Sequence, residues 1–293
     1  MSQAGSTAKD PRALVTSAGH RGAAGPVPSR TGTPQSVPRD QTAPIDPAHF
    51  YTGIVAELYA PLRSSTPDPD LYAAFIAASG EPALELGCGD GDPMIELRRR
   101  GLDVEGVDSS PDMVERCRAA ADALGLDIVV HLQRMQDLDL RRRFRSIYLA
   151  GATFNLLTTD ADAFDALQRI RAHLEADGSA LVPLFIPTPT PSEELNRPVE
   201  ATEPDGGRIR VTPTAERRDE ERRIQETVLR YERIWDGGHT VDERPWTIHW
   251  HSQEDFRSLA AAAGMRSTAI LDERGERAGA SDSTFAFWLQ PTD

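Results

Sequence analysis

Short apolar runs alternate with helical patterns along residues 83–186. Runs of this kind predict buried strands, whereas apolar side chains repeated every three or four positions predict helices that bury one face. The alternation predicts an α/β domain whose strands are joined by helices. Five strands are expected, at residues 83–86, 102–108, 127–132, 146–150 and 179–186.

The chain before residue 83 divides into a polar tail and two helical segments. Residues 1–45 are rich in Ala, Gly, Ser, Thr and Pro without apolar periodicity. Such a segment cannot bury enough apolar surface to offset its ordering entropy, so we expect a disordered tail. Asp46 and Pro47 form a helix-start signal, and a second helix is expected over residues 69–78. The apolar stripe of the first helix consists of Phe50, Ile54, Val55 and Leu58.

After residue 187 the pattern changes from strands and helices to strands alone. Prolines interrupt residues 187–194, and apolar and polar side chains then alternate with a period of two. This period predicts half-buried antiparallel strands, which we expect at residues 208–217, 223–235 and 240–251. The sequence thus predicts a core at residues 46–186, an inserted antiparallel β lid at 187–251, and a helix with two last core strands at 252–293.

Three glycines at alternate positions, Gly87, Gly89 and Gly91, follow the first core strand. Glycine tolerates a positive φ angle and lets a ligand lie against the backbone, where the N–H groups of a helix start are unpaired. Asp108 ends the second strand 21 residues after Gly87, a place where a carboxylate can accept hydrogen bonds from both ribose hydroxyls. Together these features predict a nucleoside-binding βαβ unit.

The glycine loop also contains two carboxylates, Glu85 and Asp90, which would repel a diphosphate. A nicotinamide oxidoreductase is therefore the least favoured function. The segment Glu85-Leu86-Gly87-Cys88-Gly89-Asp90-Gly91 resembles the first motif of class I S-adenosylmethionine (SAM) methyltransferases, and the similarity extends over residues 50–186. The resemblance implies a seven-stranded Rossmann-like sheet and SAM as the cofactor. The residues implied to bind it are Glu85, Gly87, Gly89, Asp108, Ser109, Met113, Met135, Gln136 and Ala150.

The similarity to small-molecule N-methyltransferases also implies where the methyl acceptor lies. Tyr51 and Tyr59 on the first helix, and Asn155 after the fourth strand, would face the acceptor. Amino-sugar N-methyltransferases often have His where Asn155 falls. Asn cannot take a proton at neutral pH, so we expect it to orient an amine through its carbonyl oxygen.

Two histidines, His249 and His251, alternate on one face of the last lid strand. The simplest interpretation is a wet histidine edge on the lid. Contact with the acceptor or removal of its proton is a second hypothesis, with His249 as the candidate catalytic residue. Metal binding would need a third and a fourth ligand, for which the sequence shows no spacing, so no metal is expected.

Composition narrows the choice of partners. A formal net charge of −14 argues against nucleic acid as a partner, because phosphate binding depends on clustered Lys and Arg. No apolar run reaches membrane-spanning length, and no secretory signal is evident, so a cytoplasmic protein without a membrane partner is expected. Two cysteines, Cys88 and Cys117, are expected to be thiols. The sequence leaves monomer and homodimer open.

The residues favour an N-methyltransferase of secondary metabolism, because an amine needs no buried base and the sequence offers none. Residues 50–62 and the Trp-rich lid resemble methyltransferases of daptide-type ribosomal peptide pathways, which implies dimethylation of a peptide N-terminal amine. Methylation of an amino sugar is an alternative. Transfer to oxygen or carbon of a small metabolite, and a SAM-binding regulator without turnover, also remain open.

Overall fold

The computed structural model describes residues 49–63, 66–203 and 206–292. The predicted tail at residues 1–45 and the helix start at Asp46 and Pro47 lie outside these residues. The helices are α1 (Ile54–Leu62), α2 (Pro69–Ser79), α3 (Met94–Arg99), α4 (Pro111–Ala123), α5 (Asp160–His173) and α6 (Gln253–Ala262). The core strands are β1 (Ala83–Leu86), β2 (Val104–Asp108), β3 (Val130–Leu132), β4 (Phe144–Tyr148), β5 (Leu174–Phe185), β10 (Met265–Leu271) and β11 (Thr284–Pro291).

The core is a seven-stranded sheet in the order β10-β11-β5-β4-β1-β2-β3. Strands β1 to β5 run parallel, while β11 is antiparallel to both β5 and β10. All four residues of β1 are buried, as expected for a central strand covered by helices on both faces. The structure confirms the predicted α/β class and the seven-stranded sheet.

Helix starts follow their sequence signals. The side chain of Ser110 accepts a hydrogen bond from the N–H of Met113 and caps α4, and Ser252 does the same for α6 through the N–H of Asp255. Both caps lie where the sequence predicts a helix to begin. Pro111 occupies the first position of α4, where its missing N–H would have no helical partner.

A second, antiparallel sheet has the order β6-β7-β8-β9. Its strands are β6 (Val199–Thr202), β7 (Arg208–Asp219), β8 (Ile224–Trp235) and β9 (Gly238–His249). We call it the lid sheet. Ile209 and Tyr231 of this sheet pack in one cluster with the stripe of α1, which confirms the apolar face predicted for that helix. The N-terminal segment thus packs on the lid sheet.

The starts of two core strands differ from the sequence prediction by three residues or more, whereas β2 and β4 begin within two residues of it. Strand β3 begins at Val130, three residues later than expected, while β5 begins at Leu174 and not at Ser179. Asp177 and Gly178 lie within an irregularity in the pairing of β5 with β4, and the strand continues through it. Strand β6 was not predicted: Val199 and Ala201 alternate with Glu200 and Thr202, but four residues give only a short period-two signal.

Within the described residues, every helix is too short or too polar to span a bilayer. Cys88 and Cys117 are both buried free thiols, in agreement with the prediction.

Candidate active site

A cleft opens beyond the carboxyl ends of the central strands. Strand β1 pairs with β2 on one side and β4 on the other, and a ligand crevice is expected where the strand order reverses in this way. The cleft has a volume of about 260 Å³. It is lined by Tyr51, Tyr59, Gly87, Gly89, Val107, Asp108, Ser109, Met113, Gln133, Arg134, Met135, Gln136, Thr153, Leu156, Leu157, Thr158 and Asp162.

The glycine loop forms one wall of the cleft. Gly87 and Gly89 both have positive φ angles, of 70° and 53°. The N–H of Gly87 donates to the carbonyl of Val107, which fixes the loop to β2 at 2.7 Å. A side chain at Gly89 would meet no heavy atom of the described residues within 4 Å. The backbone at Gly89 is therefore open to a ligand, as the sequence predicts.

Asp108 joins the glycine loop to the start of α4. Its Oδ2 accepts from the N–H of Gly89 at 2.8 Å, and its Oδ1 accepts from the N–H of Ser110 at 2.8 Å. Burial raises the pKa of this carboxyl, and the backbone hydrogen bonds oppose the shift. Each carboxylate oxygen has two lone pairs, so both can still accept from a ligand hydroxyl.

The other predicted cofactor contacts divide into two groups. Ser109, Met113, Met135 and Gln136 all line the cleft together with Asp108. Ala150, which the resemblance implied as a cofactor contact, lies outside the lining and packs against a hydrophobic cluster that includes Tyr148 and Cys88. It follows β4 by two residues.

Glu85 is buried below the glycine loop and does not line the cleft. Its Oε2 accepts from the hydroxyl of Tyr148 at 2.8 Å, whereas its Oε1 has no hydrogen-bond partner among the described residues. Burial raises the pKa of this carboxyl well above its usual value. The structure therefore corrects the position expected for Glu85: it supports the loop from the core, with one acceptor oxygen unused.

Tyr51 and Tyr59 face the cleft together, as the sequence predicts. Their rings meet edge to face, with centroids 5.7 Å apart. Burial raises the pKa of both phenols above the ordinary value for Tyr, so both stay protonated at neutral pH. They can donate or accept hydrogen bonds, but they do not supply a phenolate base.

The side chains of Arg244 and Ser110 hold the segment that carries Tyr51. The guanidinium of Arg244, on β9, donates to the carbonyl of Phe50 at 2.8 Å and to the hydroxyl of Thr52 at 3.0 Å. The Ser110 hydroxyl donates to the carbonyl of Tyr51 at 2.6 Å. The segment that carries Tyr51 is thereby fixed to strand β9 of the lid sheet and to Ser110 at the start of α4, next to Asp108.

Asn155 is fully buried and does not line the cleft, contrary to the sequence prediction. Its Nδ2 donates to the carbonyls of Phe185 and His249, at 3.0 and 2.9 Å, and its Oδ1 accepts from the N–H of Phe185 at 3.2 Å. Both amide hydrogens are used for these contacts. Asn155 joins the end of β5 to the end of β9 and has no donor left for an acceptor amine.

Replacing Asn155 by Ala should destabilise the protein without weakening SAM binding. The change orphans three buried backbone groups, and each loss of this type costs about 1 kcal/mol or more. We expect the free energy of unfolding, measured by urea denaturation, to fall by about 3 kcal/mol. A SAM affinity reduced tenfold in the folded Asn155→Ala protein would contradict this structural role.

His249 is also buried, and it lies outside the cleft lining. Its Nδ1 contacts the carbonyl of Leu157 at 3.1 Å, and burial lowers the pKa of its imidazole. His251 is equally buried, so the predicted wet histidine edge is wrong. The period of two correctly places both histidines on one face, but that face packs against the core at the end of β9.

Sequence reasoning missed the residues that line the cleft between β4 and α5. They include Asp162, which adds a second carboxylate to the cleft. In this segment the family resemblance points to Asn155 alone. The missed residues are Thr153, Leu156, Leu157, Thr158 and Asp162.

Residues 83–178 match the family model of a methyltransferase domain. The chain is also similar to a dTDP-3-amino-3,6-dideoxy-alpha-D-glucopyranose N,N-dimethyltransferase from Streptomyces fradiae, with 29% identity over 234 residues. That match covers 76% of this chain and 88% of the Streptomyces protein. The chain carries a class I SAM-dependent methyltransferase domain.

Solved structures share the fold of this methyltransferase. The CcbJ methyltransferase from Streptomyces caelestis matches with a TM-score of 0.65 and 22% identity, over 82% of this chain and 96% of that protein. The sugar N-methyltransferase KedS8 from Streptoalloteichus sp ATCC 53650 matches with a TM-score of 0.59 and 17% identity, over 90% of this chain and all (100%) of that protein. Both likenesses show a common architecture.

The cleft of the methyltransferase fits SAM on its own geometry. A nucleoside needs an acceptor for its ribose hydroxyls, which Asp108 supplies, and close approach to backbone, which Gly89 allows. The loop itself has no cationic side chain for a diphosphate, and the guanidinium of Arg63 beside it already pairs with Asp90 and Asp92.

Proposed function

We propose that this methyltransferase transfers methyl groups from SAM to an amine of a natural-product intermediate, with the N-terminal amine of a ribosomally made peptide as the favoured acceptor. The observation that carries the proposal is a cleft with two carboxylates, Asp108 and Asp162, and no residue in its lining that is suited to be a strong base. An amine fits such a cleft, because its neutral fraction is nucleophilic without a base. A hydroxyl acceptor would require one.

SAM supplies an electrophilic methyl group, and the protein positions the two reactants and shields them from water. Effective positioning can contribute roughly 7–11 kcal/mol to a reaction of this type. Asp108 and the glycine loop would hold the donor, while Tyr51 and Tyr59 form the aromatic wall beside it. Since both phenols are protonated, each can accept from an amine N–H or donate to a neighbouring oxygen, which orients the acceptor without removing its proton.

The charge of the cleft bears on the choice of acceptor. Among the described residues that line it, Arg134 is the sole cation, against Asp108 and Asp162. This balance suits an acceptor that arrives as a protonated amine more than one that brings a diphosphate. The charge balance therefore supports the N-terminal amine of a peptide as the acceptor. The relative from Streptomyces fradiae acts on a dTDP-amino sugar, so an amino sugar is the second candidate.

A direct comparison of acceptors tests the proposal. Purified protein and SAM would be incubated with a short peptide bearing a free N-terminus, with the same peptide acetylated at its terminus, and with a dTDP-amino sugar. We expect the mass of the free peptide to rise by two methyl groups and the acetylated control to be unchanged. Methylation of the amino sugar alone would replace the favoured acceptor, and methylation at oxygen or carbon would refute the N-methyltransferase.

Asp162→Asn should weaken acceptor binding more than it slows the chemical step. Asp162 lines the cleft near Leu157, and the variant removes a negative charge that attracts a protonated amine. We expect KM for the amine to rise roughly fivefold to tenfold, with kcat nearly unchanged. Asp165→Asn is the matched control, because Asp165 is exposed on the same helix and does not line the cleft. Equal KM values for both variants would remove Asp162 from acceptor binding.

A further inference from the structure

Three potential metal ligands meet behind the wall of the cleft. Asp160 begins α5, His249 ends β9, and His251 follows it by two residues. One ligand atom from each residue lies within 4.8 Å of the others. Oδ1 of Asp160 is 3.5 Å from Nε2 of His249 and 3.8 Å from Nδ1 of His251. Asp160 is about 90 residues away in the sequence, so no spacing motif could reveal it as the third ligand.

The tautomer of His249 is fixed by a neighbour. The carbonyl of Leu157 can only accept, so Nδ1 of His249 must donate the hydrogen to it. Nε2 then carries a lone pair and points toward the cluster, since it is the atom that approaches Asp160. A backbone carbonyl on the second ring nitrogen is a common way to orient a metal-binding histidine.

His251 provides an independent observation. Only 2% of this residue is exposed, and its Nε2 has no hydrogen-bond partner among the described residues. Its Nδ1 faces Asp160, whose Oδ1 is 3.8 Å away and so too far for a direct hydrogen bond between the two. A buried polar group without a partner is costly, and a metal bond to Nδ1, the nitrogen that faces Asp160, would offset part of the cost of burying this imidazole.

Arg223 partly balances the charge of the cluster. Its Nη2 lies 2.6 Å from both oxygens of Asp160, and its Nη1 lies 3.4 Å from Asp255. With both imidazoles neutral, two carboxylates and one guanidinium leave a net negative charge. The Asp160 oxygens each have a second lone pair, so the ion pair with Arg223 leaves room for one bond to a cation.

We propose that Asp160, His249 and His251 bind a divalent transition-metal ion, with zinc as the best fit. Zinc accepts imidazole and carboxylate ligands in a tetrahedron with bonds of about 2.0–2.2 Å, which puts neighbouring ligand atoms about 3.4 Å apart. The observed separations from Asp160 require only a small contraction to reach this value. Water would complete the tetrahedron, since Asp160 is exposed to solvent.

This site is separate from methyl transfer, because none of its three residues lines the cleft. It would join the end of the lid sheet to the start of α5. Leu157, which lines the cleft, is hydrogen-bonded to His249, so the metal would hold that wall in place. The inference does not depend on the identity of the methyl acceptor.

Zinc binding to the tag-free full chain tests the proposal. Metal-depleted protein would be titrated with zinc chloride against a chromogenic chelator, and the zinc content would be measured after desalting. We expect one equivalent in the unmodified protein, and affinity at least about 100-fold lower in His249→Ala, His251→Ala and Asp160→Asn. His239→Ala is the matched control, because His239 is on the same strand but outside the cluster, and it should bind zinc normally.

A second variant separates a metal site from a merely structural cluster. Arg223→Gln removes a positive charge beside the site and frees the Asp160 carboxylate, so it should bind zinc several-fold more tightly. Zinc should raise the melting temperature of the unmodified protein and of His239→Ala, but not that of Asp160→Asn. The proposal is overturned if the unmodified protein retains no more zinc than the double variant His249→Ala/His251→Ala.

Discussion

Asp108→Ala is expected to weaken SAM binding at least about 100-fold. The carboxylate would accept two hydrogen bonds from the ribose, and hydrogen bonds to a charged group are worth about 1.5–3 kcal/mol each. The change also releases the N–H groups of Gly89 and Ser110, which the carboxylate holds at 2.8 Å, so the glycine loop loses its link to α4. Isothermal calorimetry with SAM and S-adenosylhomocysteine measures the loss.

The control for this variant is Asp122→Ala, an exposed carboxylate on α4. It removes the same charge from the same part of the fold, so its SAM affinity should stay within about twofold of the unmodified protein. Thermal unfolding establishes that Asp108→Ala is folded under the conditions of the titration. Undiminished uptake of SAM by the folded Asp108→Ala protein would refute the cofactor site and, with it, the proposed reaction.

The cofactor half of the cleft could be predicted because its geometry is local. Gly87, Gly89 and Asp108 lie on two adjacent parallel strands and the turn that follows the first of them. A strand, a glycine turn and a helix start determine which backbone groups face the ligand, whatever the rest of the chain does. The order of the strands could also be predicted, because connections between parallel strands are short and right-handed, which leaves few possible strand orders.

The acceptor half could not be predicted in the same way, because it is built from distant segments. Asn155 seemed free to face a ligand, but its amide meets the ends of β5 and β9. His249 seemed to lie on a wet edge, yet the end of β9 is buried on both faces. A period of two shows which side chains share a face; it does not show which faces are covered.

Glu85 illustrates a different limit. The resemblance implies that it binds SAM, but its side chain points into the core, where it contacts Tyr148, and not into the cleft. In a parallel strand buried on both faces, successive side chains alternate between two layers of protein. Of the β1 strand and the loop after it, only Gly87 and Gly89 line the cleft. The sequence therefore predicts that the glycine loop lines the cleft, but it does not predict the direction of the Glu85 side chain in the strand before it.

The Gly89→Ala variant should bind SAM with an affinity at least about tenfold lower, while the protein remains folded. The φ angle of 53° makes any side chain at this position strained, by about 1–2 kcal/mol. The new methyl group would meet no described heavy atom of the protein within 4 Å, so it would not disturb packing. It would instead occupy space at the cleft wall, where the nucleoside has to approach the backbone.

Gly125→Ala separates backbone strain from obstruction of the cleft. Gly125 has a φ angle of 66°, and a methyl group there would also meet nothing within 4 Å of the described chain, but the residue lies beyond α4 and away from the cleft. Both variants should therefore lose a similar free energy of unfolding in urea. Only Gly89→Ala should lose SAM affinity in calorimetry, because only its methyl group lies where the cofactor binds. Equal affinities in the two variants would mean that SAM does not lie against the Gly89 backbone.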